Sequence, residues 1–438
     1  KLTMTDTAAD AEEVPEVEPE PEGGQTVQLD DFCELRFEAL STSSFWVKLI
    51  EGKAEVFGTE LVRQRRYHFP AGSKAAVFTF SGCELKVWGE TESRYTSKDT
   101  HAVTVYVNCH AALQQLRRQA QEARRRGPRV LVCGPKDAGK TSLCRQLVSW
   151  ATREKSKPIY VDVDVGQSQI SVPGTMGAVP VRKPFDIEEG LETEQAPVLF
   201  QFGHTNPQAN INLYFYMMNR LAEYVNKRCE YDQDANYAGL VINTCGWIKL
   251  EGYDAIKQCA SAFEVDLIFV IESERLYNDL KRDLPSFVKI VTLPKSRGVA
   301  DRGQEIRQEL RDRKVTEYFK GPLLSLSPHR ISMPTSAFQF YRLGVQALPS
   351  SLLPLGHEKS EREEHWRRAV RVLPDRSLLH ALLGVSQATS SDQLADYPVY
   401  GFCVVVDVLN DSVVALAPAS GTPPSNLMLV STATWMMS

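Results

Sequence analysis

The stretch Gly134-Pro135-Lys136-Asp137-Ala138-Gly139-Lys140-Thr141 decides the fold of this chain, because it matches the pattern of a phosphate-binding loop. It directly follows an apolar run, Arg129-Val-Leu-Val-Cys133, which predicts a buried strand. Residues 142–150 then carry apolar side chains at helical spacing. A nucleoside triphosphate site requires this order of strand, glycine-rich loop and helix, so we predict that the loop binds a nucleotide.

Each residue type in the loop has a predicted role. Glycines let the backbone curl so that its N–H groups face the β- and γ-phosphates, Lys140 adds a positive charge, and the Thr141 hydroxyl can bind Mg²⁺. The expected cofactors are therefore ATP and Mg²⁺, and Lys140 is also a candidate catalytic residue. The predicted nucleotide contacts of the loop are Gly134, Lys136, Asp137, Ala138, Gly139, Lys140, Thr141 and Ser142.

Apolar strands alternate with helical segments from residue 129 to about 323. This alternation predicts an α/β fold with a parallel sheet of the P-loop NTPase type, covered by helices on both faces. Ligands bind such sheets beyond the carboxyl ends of the strands, which is where the loop lies. After the first strand, the predicted strands are 158–164, 197–202, 238–243, 267–271 and 289–293.

Smaller domains are predicted on both sides of this sheet. Alternating segments, including one at 103–107, predict an N-terminal β domain over 26–109. The P-loop domain is then expected over 110–325, beginning with a helix at 110–126. The predicted outer segments are a disordered acidic tail over 1–25, which contains eight acids, and a small mixed C-terminal domain over 326–438 with an exposed insertion at 357–376.

The bulk composition limits the class of protein. With 438 residues and 43% hydrophobic residues, the chain can build two or three domains. Its net charge of -5 argues against a protein that coats nucleic acid without specificity. Nine scattered cysteines without a C-x-x-C pair indicate a reducing setting, and without a long apolar run we expect no membrane partner.

Two acids follow the second strand of the predicted sheet, at the position where P-loop proteins place carboxylates that serve Mg²⁺ and the attacking nucleophile. Asp162 is the candidate for Mg²⁺, and Asp164 is the candidate general base for an incoming hydroxyl. Capping or turn formation is the alternative role for both.

Two further motifs follow other strands. Arg302, Arg307 and Arg311 lie in a helical-looking segment, where they suit a lid over the γ-phosphate, although surface ion pairs explain their spacing equally well. Thr244-Cys245-Gly246-Trp247 follows an apolar strand and places an indole where it can stack on a base or pack in the core.

Together these elements resemble one family, the polyribonucleotide 5′-hydroxyl kinases, and within it the kinase subunit of eukaryotic pre-mRNA cleavage factor II that also joins the tRNA-splicing endonuclease. The resemblance covers most of residues 28–325. The segments that carry it are 34–38, 56–60, the phosphate-binding loop, 164–167, 170–177, 242–247, 260–266 and 274–285.

The resemblance implies ATP-dependent phosphorylation of the 5′-hydroxyl end of RNA, in tRNA splicing and in mRNA 3′-end cleavage and polyadenylation, and a nuclear location. It implies RNA, a cleavage factor II subunit and tRNA-splicing endonuclease subunits as partners. The roles it implies are Lys140 and Asp164 as catalytic residues, Arg302, Arg307 and Arg311 as lid residues, Glu34 and Lys74 as adenine contacts, and Trp247, Thr244, Gln167 and Thr205 as RNA contacts.

Two other functions are compatible with a P-loop. One is an ATP-bound scaffold of the mRNA 3′-end processing machinery that does not turn over; the presence of Lys140, Thr141 and Asp164 favours activity instead. The other is a regulatory GTPase, which is disfavoured because no Asn-Lys-x-Asp guanine-recognition motif follows the loop.

Overall fold

The structure is a computed structural model that describes residues 23–191, 197–344 and 365–436. The acidic tail predicted over 1–25 therefore lies outside the described residues as far as residue 22, and the first strand already begins at Gln25. Among the described helices, none is long and apolar enough to cross a membrane.

The N-terminal domain is a β-sandwich, as the alternating pattern predicts. Its two antiparallel sheets have the strand orders β1-β8-β3-β6 and β5-β4-β7-β2-β9. Phe37, Phe45 and Phe69 pack at its centre, with ring centroids 4.5 and 4.9 Å apart. The strands are β1 (Gln25–Leu29), β2 (Cys33–Ala39), β3 (Phe45–Gly52), β4 (Glu55–Val56), β5 (Thr59–Glu60), β6 (Arg66–Phe69), β7 (Lys74–Thr79), β8 (Cys83–Trp88) and β9 (Thr91–Ser97).

The central domain is built on a seven-stranded sheet of order β13-β12-β11-β14-β10-β15-β16. Its elements are α1 (His101–Glu122), β10 (Arg129–Cys133), α2 (Lys140–Arg153), β11 (Ile159–Asp162), β12 (Thr175–Pro180), β13 (Val198–Gln201), α3 (Ile211–Tyr231), α4 (Gln233–Ala238), β14 (Leu240–Asn243), α5 (Glu251–Ala262), β15 (Leu267–Ile271), α6 (Glu274–Asp283), β16 (Lys289–Leu293) and α7 (Gln304–Lys320).

Helices cover both faces of this sheet because successive strand residues point in opposite directions. Val130 and Val132 of β10 pack in a cluster with α1 and α2, whereas Leu131 packs in a second cluster with α3 and α5. The five strands β10, β11, β14, β15 and β16 run parallel, as predicted. The sheet is nevertheless mixed, because β12 runs antiparallel between β11 and β13.

One predicted strand is wrong. Residues 103–107 were expected to be β-structure, but they form the second turn of α1, which begins at His101 and crosses the predicted domain boundary at 109. β-branched residues there favour a strand locally, yet Tyr106 and Leu113 are buried against α2, and this tertiary packing overrides the propensity. The Tyr106 hydroxyl also donates to the Pro294 carbonyl (2.6 Å).

The C-terminal domain is a third sheet, of order β17-β22-β21-β20-β23-β18-β19. Its strands are β17 (His329–Pro334), β18 (Gln339–Leu343), β19 (Ala369–Val372), β20 (Ala381–Ser386), β21 (Val399–Val408), β22 (Ser412–Ala417) and β23 (Leu427–Thr434). Within its described residues the only helices are short 3₁₀ turns. The predicted insertion lies partly outside the described residues, and its described end forms β19.

This third sheet shares a core with the central domain. Trp435 stacks on Phe319 of α7 at 5.6 Å between ring centroids, and the Gln201 side chain donates to the Leu429 carbonyl (3.1 Å). The position of α7 is therefore fixed at its carboxyl end by the C-terminal domain, while its amino end approaches the phosphate-binding loop.

Candidate active site

A cavity of about 420 Å³ lies between the N-terminal sandwich and the carboxyl edge of the central sheet. Most of the residues predicted from the sequence line it. The predicted residues in its wall are Glu34, Lys74, Lys136, Asp137, Ala138, Gly139, Lys140, Thr141, Ser142, Asp164, Gln167, Arg302 and Arg307. The predicted residues outside its wall are Gly134, Asp162, Thr205, Thr244, Trp247 and Arg311.

The phosphate-binding loop forms the floor of the cavity. Gly139 precedes α2 with φ +86°, a left-handed conformation that glycine adopts at no steric cost, and no side chain of the described residues caps the helix. The first N–H groups of α2 are therefore available to an anion. Lys140 is buried and donates from Nζ to the Pro135 carbonyl (2.7 Å), and its burial lowers the pKa of this lysine.

Gly246 packs directly on this loop. A Cβ at Gly246 would lie 2.6–2.7 Å from the Cγ, Cα and backbone N of Lys136, so only glycine fits here. The segment that follows β14 therefore supports the backbone of the phosphate-binding loop.

Of the two acids at the end of β11, Asp164 is the one that lines the cavity. Its Oδ1 accepts from the backbone N–H groups of Gly166 (3.0 Å) and Gln167 (3.3 Å), which fixes the turn after β11. Among the described residues nothing donates to Oδ2. Burial raises the pKa of Asp164, and the charges of Lys140 and Arg307 oppose this shift. Asp164 thus has the turn role that the sequence left open, and its role as a proton acceptor stays a prediction.

Asp162 has a different environment from the one predicted. It is fully buried, and its carboxylate accepts from the backbone N–H groups of Asp164 (3.1 Å) and Gln169 (2.8 Å) and from Asn243 Nδ2 (3.0 Å). Burial, with the Asp164 charge nearby, raises the pKa of Asp162 to about 7. The Asp162 carboxylate is thus bonded in the protein interior, where it holds Asp164 in place, and its Mg²⁺ role stays a prediction.

The arginine segment approaches the loop from the other side. Arg307 Nη2 bonds to Asp137 Oδ2 at 2.5 Å, and the backbone N–H of Arg302 donates to the same oxygen (3.2 Å). Arg311 lies one turn further along α7, where its guanidinium donates to Gln308 (2.8 Å) and does not reach the cavity. Arg311 therefore lies outside the cavity wall in this structure, and its role in a lid over the γ-phosphate stays a prediction.

The sandwich closes the opposite end of the cavity. Glu34, Arg36 and Glu38 share one face of β2, because alternate strand residues point the same way. Arg36 Nε donates to Glu34 (2.5 Å), and Lys74 pairs with Glu38. Burial raises the pKa of Glu34 despite this arginine.

The predicted RNA contacts divide into two groups. Gln167 lines the cavity. The Thr205 carbonyl lies close to Gly166, the residue that precedes Gln167. Thr244 is buried and donates its hydroxyl to the Val132 carbonyl (2.8 Å), so its side chain is committed to the core. Trp247 is half-buried and packs against Gly252 at the start of α5, beside the cavity and not in its wall.

Sequence reasoning missed several wall residues. Arg36 and Tyr95 of the sandwich and Gly298 of the loop before α7 all line the cavity. A period-two pattern from Glu34 along β2 would have indicated Arg36. No sequence motif marks Gly298. It lies against Arg36, and a Cβ at residue 298 would be 3.0 Å from Arg36 Nε.

Comparison with family models identifies all three domains. The model described as "N-terminal beta-sandwich domain of polyadenylation factor" matches residues 28–120. "mRNA cleavage and polyadenylation factor CLP1 P-loop" matches 134–321, and "Pre-mRNA cleavage complex II protein Clp1" matches 326–437.

The same family is found among curated proteins and solved structures. Polyribonucleotide 5′-hydroxyl-kinase Clp1 of Rattus norvegicus is 46% identical over 406 residues, and that of Homo sapiens 45%, each covering 92% of this chain and 94% of the relative. Clp1p in a wild-type Clp1p–Pcf11p complex has the same fold, with a TM-score of 0.82 and 21% identity over 95% of this chain and 99% of that one. This chain belongs to the Clp1 family of polyribonucleotide 5′-hydroxyl kinases.

Proposed function

We propose that this protein transfers the γ-phosphate of ATP to the 5′-hydroxyl end of RNA. The observation that carries the proposal is the convergence of Lys140, Asp164 and Arg307 on one cavity at the amino end of α2. A phosphate-binding floor, a carboxylate with an available oxygen and a lid cation are the groups that phosphoryl transfer to a hydroxyl needs. The printed name of the relatives, polyribonucleotide 5′-hydroxyl-kinase, supports the same reaction.

The cavity fits an extended nucleotide. The triphosphate would lie on the N–H groups of residues 137–142, with Lys140 beside it. The base would then extend towards the sandwich, where Glu34 and Lys74 are the proposed adenine contacts. The buried Glu34 carboxylate can accept a hydrogen bond from an exocyclic amine, which adenine has at position 6 and guanine lacks there.

The chemical step is proposed to depend on Asp164. Its Oδ2 would accept the proton of the 5′-hydroxyl as the oxygen attacks the γ-phosphorus. Its raised pKa makes it a better proton acceptor than an exposed aspartate. Arg302, Arg307 and Lys140 would stabilise the negative charge on the transferred group, and Arg311 would join them only if α7 moved towards the cavity.

Mg²⁺ is part of this proposal. Thr141 lies in the cavity wall at the first turn of α2, and its hydroxyl is a hard oxygen ligand of the kind that Mg²⁺ prefers. The ion supplies charge neutralisation of the phosphate oxygens when it is bound. Asp162 is not included among its ligands, because its oxygens are bonded inside the protein.

The proposed biological setting follows the family. We propose a nuclear role in mRNA 3′-end cleavage and polyadenylation and in tRNA splicing, with a cleavage factor subunit and tRNA-splicing endonuclease subunits as partners. The family descriptions and the Clp1p–Pcf11p complex support the first of these roles. RNA would contact Gln167, Thr205 and Trp247, which lie at or beside the Asp164 end of the cavity.

A transfer assay with ATP labelled at the γ-phosphate tests the proposal. The substrates are one oligoribonucleotide with a 5′-hydroxyl and the same oligoribonucleotide with a 5′-phosphate. We expect label on the first RNA only, and loss of transfer in Lys140→Ala. Label that appears only as free phosphate would refute RNA phosphorylation.

The same assay addresses the second candidate function, an ATP-bound scaffold. Its structural support is the Arg307–Asp137 ion pair, which holds the lid on the phosphate-binding loop. A chain that binds ATP tightly but transfers no label, with RNA present, would favour the scaffold.

A further inference from the structure

Asp137 is an unexpected side chain at the centre of the phosphate-binding loop. A carboxylate repels the phosphates that the backbone N–H groups of the loop attract, so a direct contact with phosphate does not explain it. Its backbone has φ +54°, in the left-handed region that aspartate adopts more often than most residues. Its side chain is only 15% exposed, and the segment before α7 lies against it. The partners of this carboxylate therefore indicate its role.

Both partners of the Asp137 carboxylate belong to the arginine segment. Oδ2 bonds to Arg307 Nη2 at 2.5 Å and accepts from the backbone N–H of Arg302 (3.2 Å). Arg302 precedes α7, and Arg307 lies in its first turn. Close packing occurs beside these bonds, since a Cβ at Gly139 would lie 2.9 Å from Val299 Cγ2. One carboxylate oxygen thus joins the phosphate-binding loop to the start of α7.

The amino half of α7 has little other attachment. The buried residues of the helix, Val315 and Phe319, both lie in its carboxyl half. Among the described residues, no other hydrogen bond joins residues 302–312 to the protein outside residues 302–320. An ion pair that is largely shielded from water is also screened less than an exposed one. Asp137 is therefore the contact that fixes the position of this end of the helix.

The guanidinium of Arg307 keeps N–H donors for a ligand. Asp137 contacts it through Nη2, and among the described residues Nε and Nη1 have no partner. Arg307 lines the cavity together with Lys140 and Asp164, and its charge opposes the rise in the pKa of Asp164. A guanidinium can bind a carboxylate oxygen along one edge and a phosphate oxygen along another. Arg307 can thus stay paired with Asp137 while it binds a phosphate.

We infer that Asp137 is a positioning residue, which holds the Arg307 guanidinium where the γ-phosphate of ATP binds. The inference rests on the proposed function, because it takes the loop as the ATP site. ADP lacks the γ-phosphate, so the ion pair should favour ATP over ADP. The negative charge of Asp137 opposes the binding of both nucleotides. The ratio of the two dissociation constants, and neither constant alone, therefore measures the positioning effect.

Calorimetric titrations of Asp137→Asn with ADP and with a non-hydrolysable ATP analogue test the inference. Asparagine has the same shape and also adopts the left-handed backbone, so the charge is removed while the loop is retained. We expect the preference for the ATP analogue over ADP to fall about tenfold, as for the loss of one hydrogen bond between charged groups. If the unmodified chain binds both nucleotides and Asp137→Asn has the same preference or a higher one, the inference is overturned while the ATP site stands. Binding of neither nucleotide to the unmodified chain would overturn both.

Two comparisons make this test specific. Asp301→Asn is the matched control, because it removes an exposed acid of the same segment that faces Lys295 (3.8 Å) and not Arg307; it should change the preference by less than about twofold. Arg307→Gln should lower the preference by itself, and Asp137→Asn should then have no further effect, because the two residues act as a unit. A further loss of the same size in the Arg307→Gln background would show that Asp137 acts independently, which contradicts the inference.

Limited digestion of the nucleotide-free chain with trypsin gives a readout that does not depend on ATP. Trypsin cleaves after arginine where the backbone opens locally, and residues 302–312 contain such sites. We expect cleavage after Arg302 and Arg311 to be about tenfold faster in Asp137→Asn than in the unmodified chain. Cleavage after Arg275 on α6 is the internal control and should be unchanged. Equal rates after Arg302 and Arg311 in both chains would mean that other contacts hold the start of α7, and they would overturn the inference.

Discussion

Gly246→Ala should weaken nucleotide binding although residue 246 lies outside the sequence motif for phosphate. The added methyl group would meet the Cα and backbone N of Lys136 at 2.7 Å, a distance that folded proteins do not tolerate. Because the obstacle is backbone, no side-chain rotation relieves the contact. The phosphate-binding loop or the segment after β14 must therefore move.

The size of the effect follows from the clash. Overpacking by one methyl group costs about 1–3 kcal/mol. If the strain is relieved by displacement of the loop, affinity for ATP falls by the same free energy, which is about 5- to 150-fold. If it remains in the folded state instead, the melting temperature falls by about 2–4 °C per kcal/mol for a domain of this size.

Titration with a fluorescent ATP analogue and a thermal melt measure the two effects together. Gly303→Ala is the matched control, because Gly303 precedes α7 near the same cavity and a Cβ there would meet no atom within 4 Å. The control should bind and melt like the unmodified protein. If Gly246→Ala also retains both the affinity for ATP and the melting temperature, Gly246 does not support the phosphate-binding loop.

Three other perturbations test individual residues. Asp164→Asn should lower kcat by at least a hundredfold with a change in ATP affinity of less than about fivefold, measured by single turnover and titration; equal losses in both would make Asp164 mainly a binding residue. Asn243→Ala removes a hydrogen bond that lowers the pKa of Asp162, so the pKa of this carboxyl should rise in an NMR titration, and an unchanged or lower pKa would be inconsistent with the assigned network. Thr244→Val should cost about 1 kcal/mol of stability in a denaturant titration and leave KM for RNA unchanged, whereas a raised KM would restore its predicted RNA contact.

The sequence predicts those structural features that depend on residues close together in the chain. The phosphate-binding loop needs glycine at fixed positions between a strand and a helix, and β10 and the start of α2 lie where that pattern predicts. Likewise the apolar runs of β14 and β15 are continuous, because both faces of a parallel sheet are buried.

Features that depend on distant residues could not be predicted in this way. β12 contains glycine and ends in proline, and only its pairing with β11 and β13 makes it a strand. Asp162 and Asp164 are separated by one residue in an acidic motif, yet Asn243 and Gln169 bind the first, while Lys140 and Arg307 face the second. Their different roles arise from these tertiary contacts.

We propose that Asp164 accepts the proton of an RNA 5′-hydroxyl beside a triphosphate bound on the loop of Lys140. A crystal structure with a non-hydrolysable ATP analogue and a 5′-hydroxyl oligoribonucleotide measures this directly. We expect a distance of about 2.6–3.2 Å between the 5′-oxygen and Asp164 Oδ2, with the γ-phosphate beside Lys140 and Arg307. A 5′-oxygen bound elsewhere, with Asp164 in contact only with the backbone of its own turn, would contradict this role of Asp164.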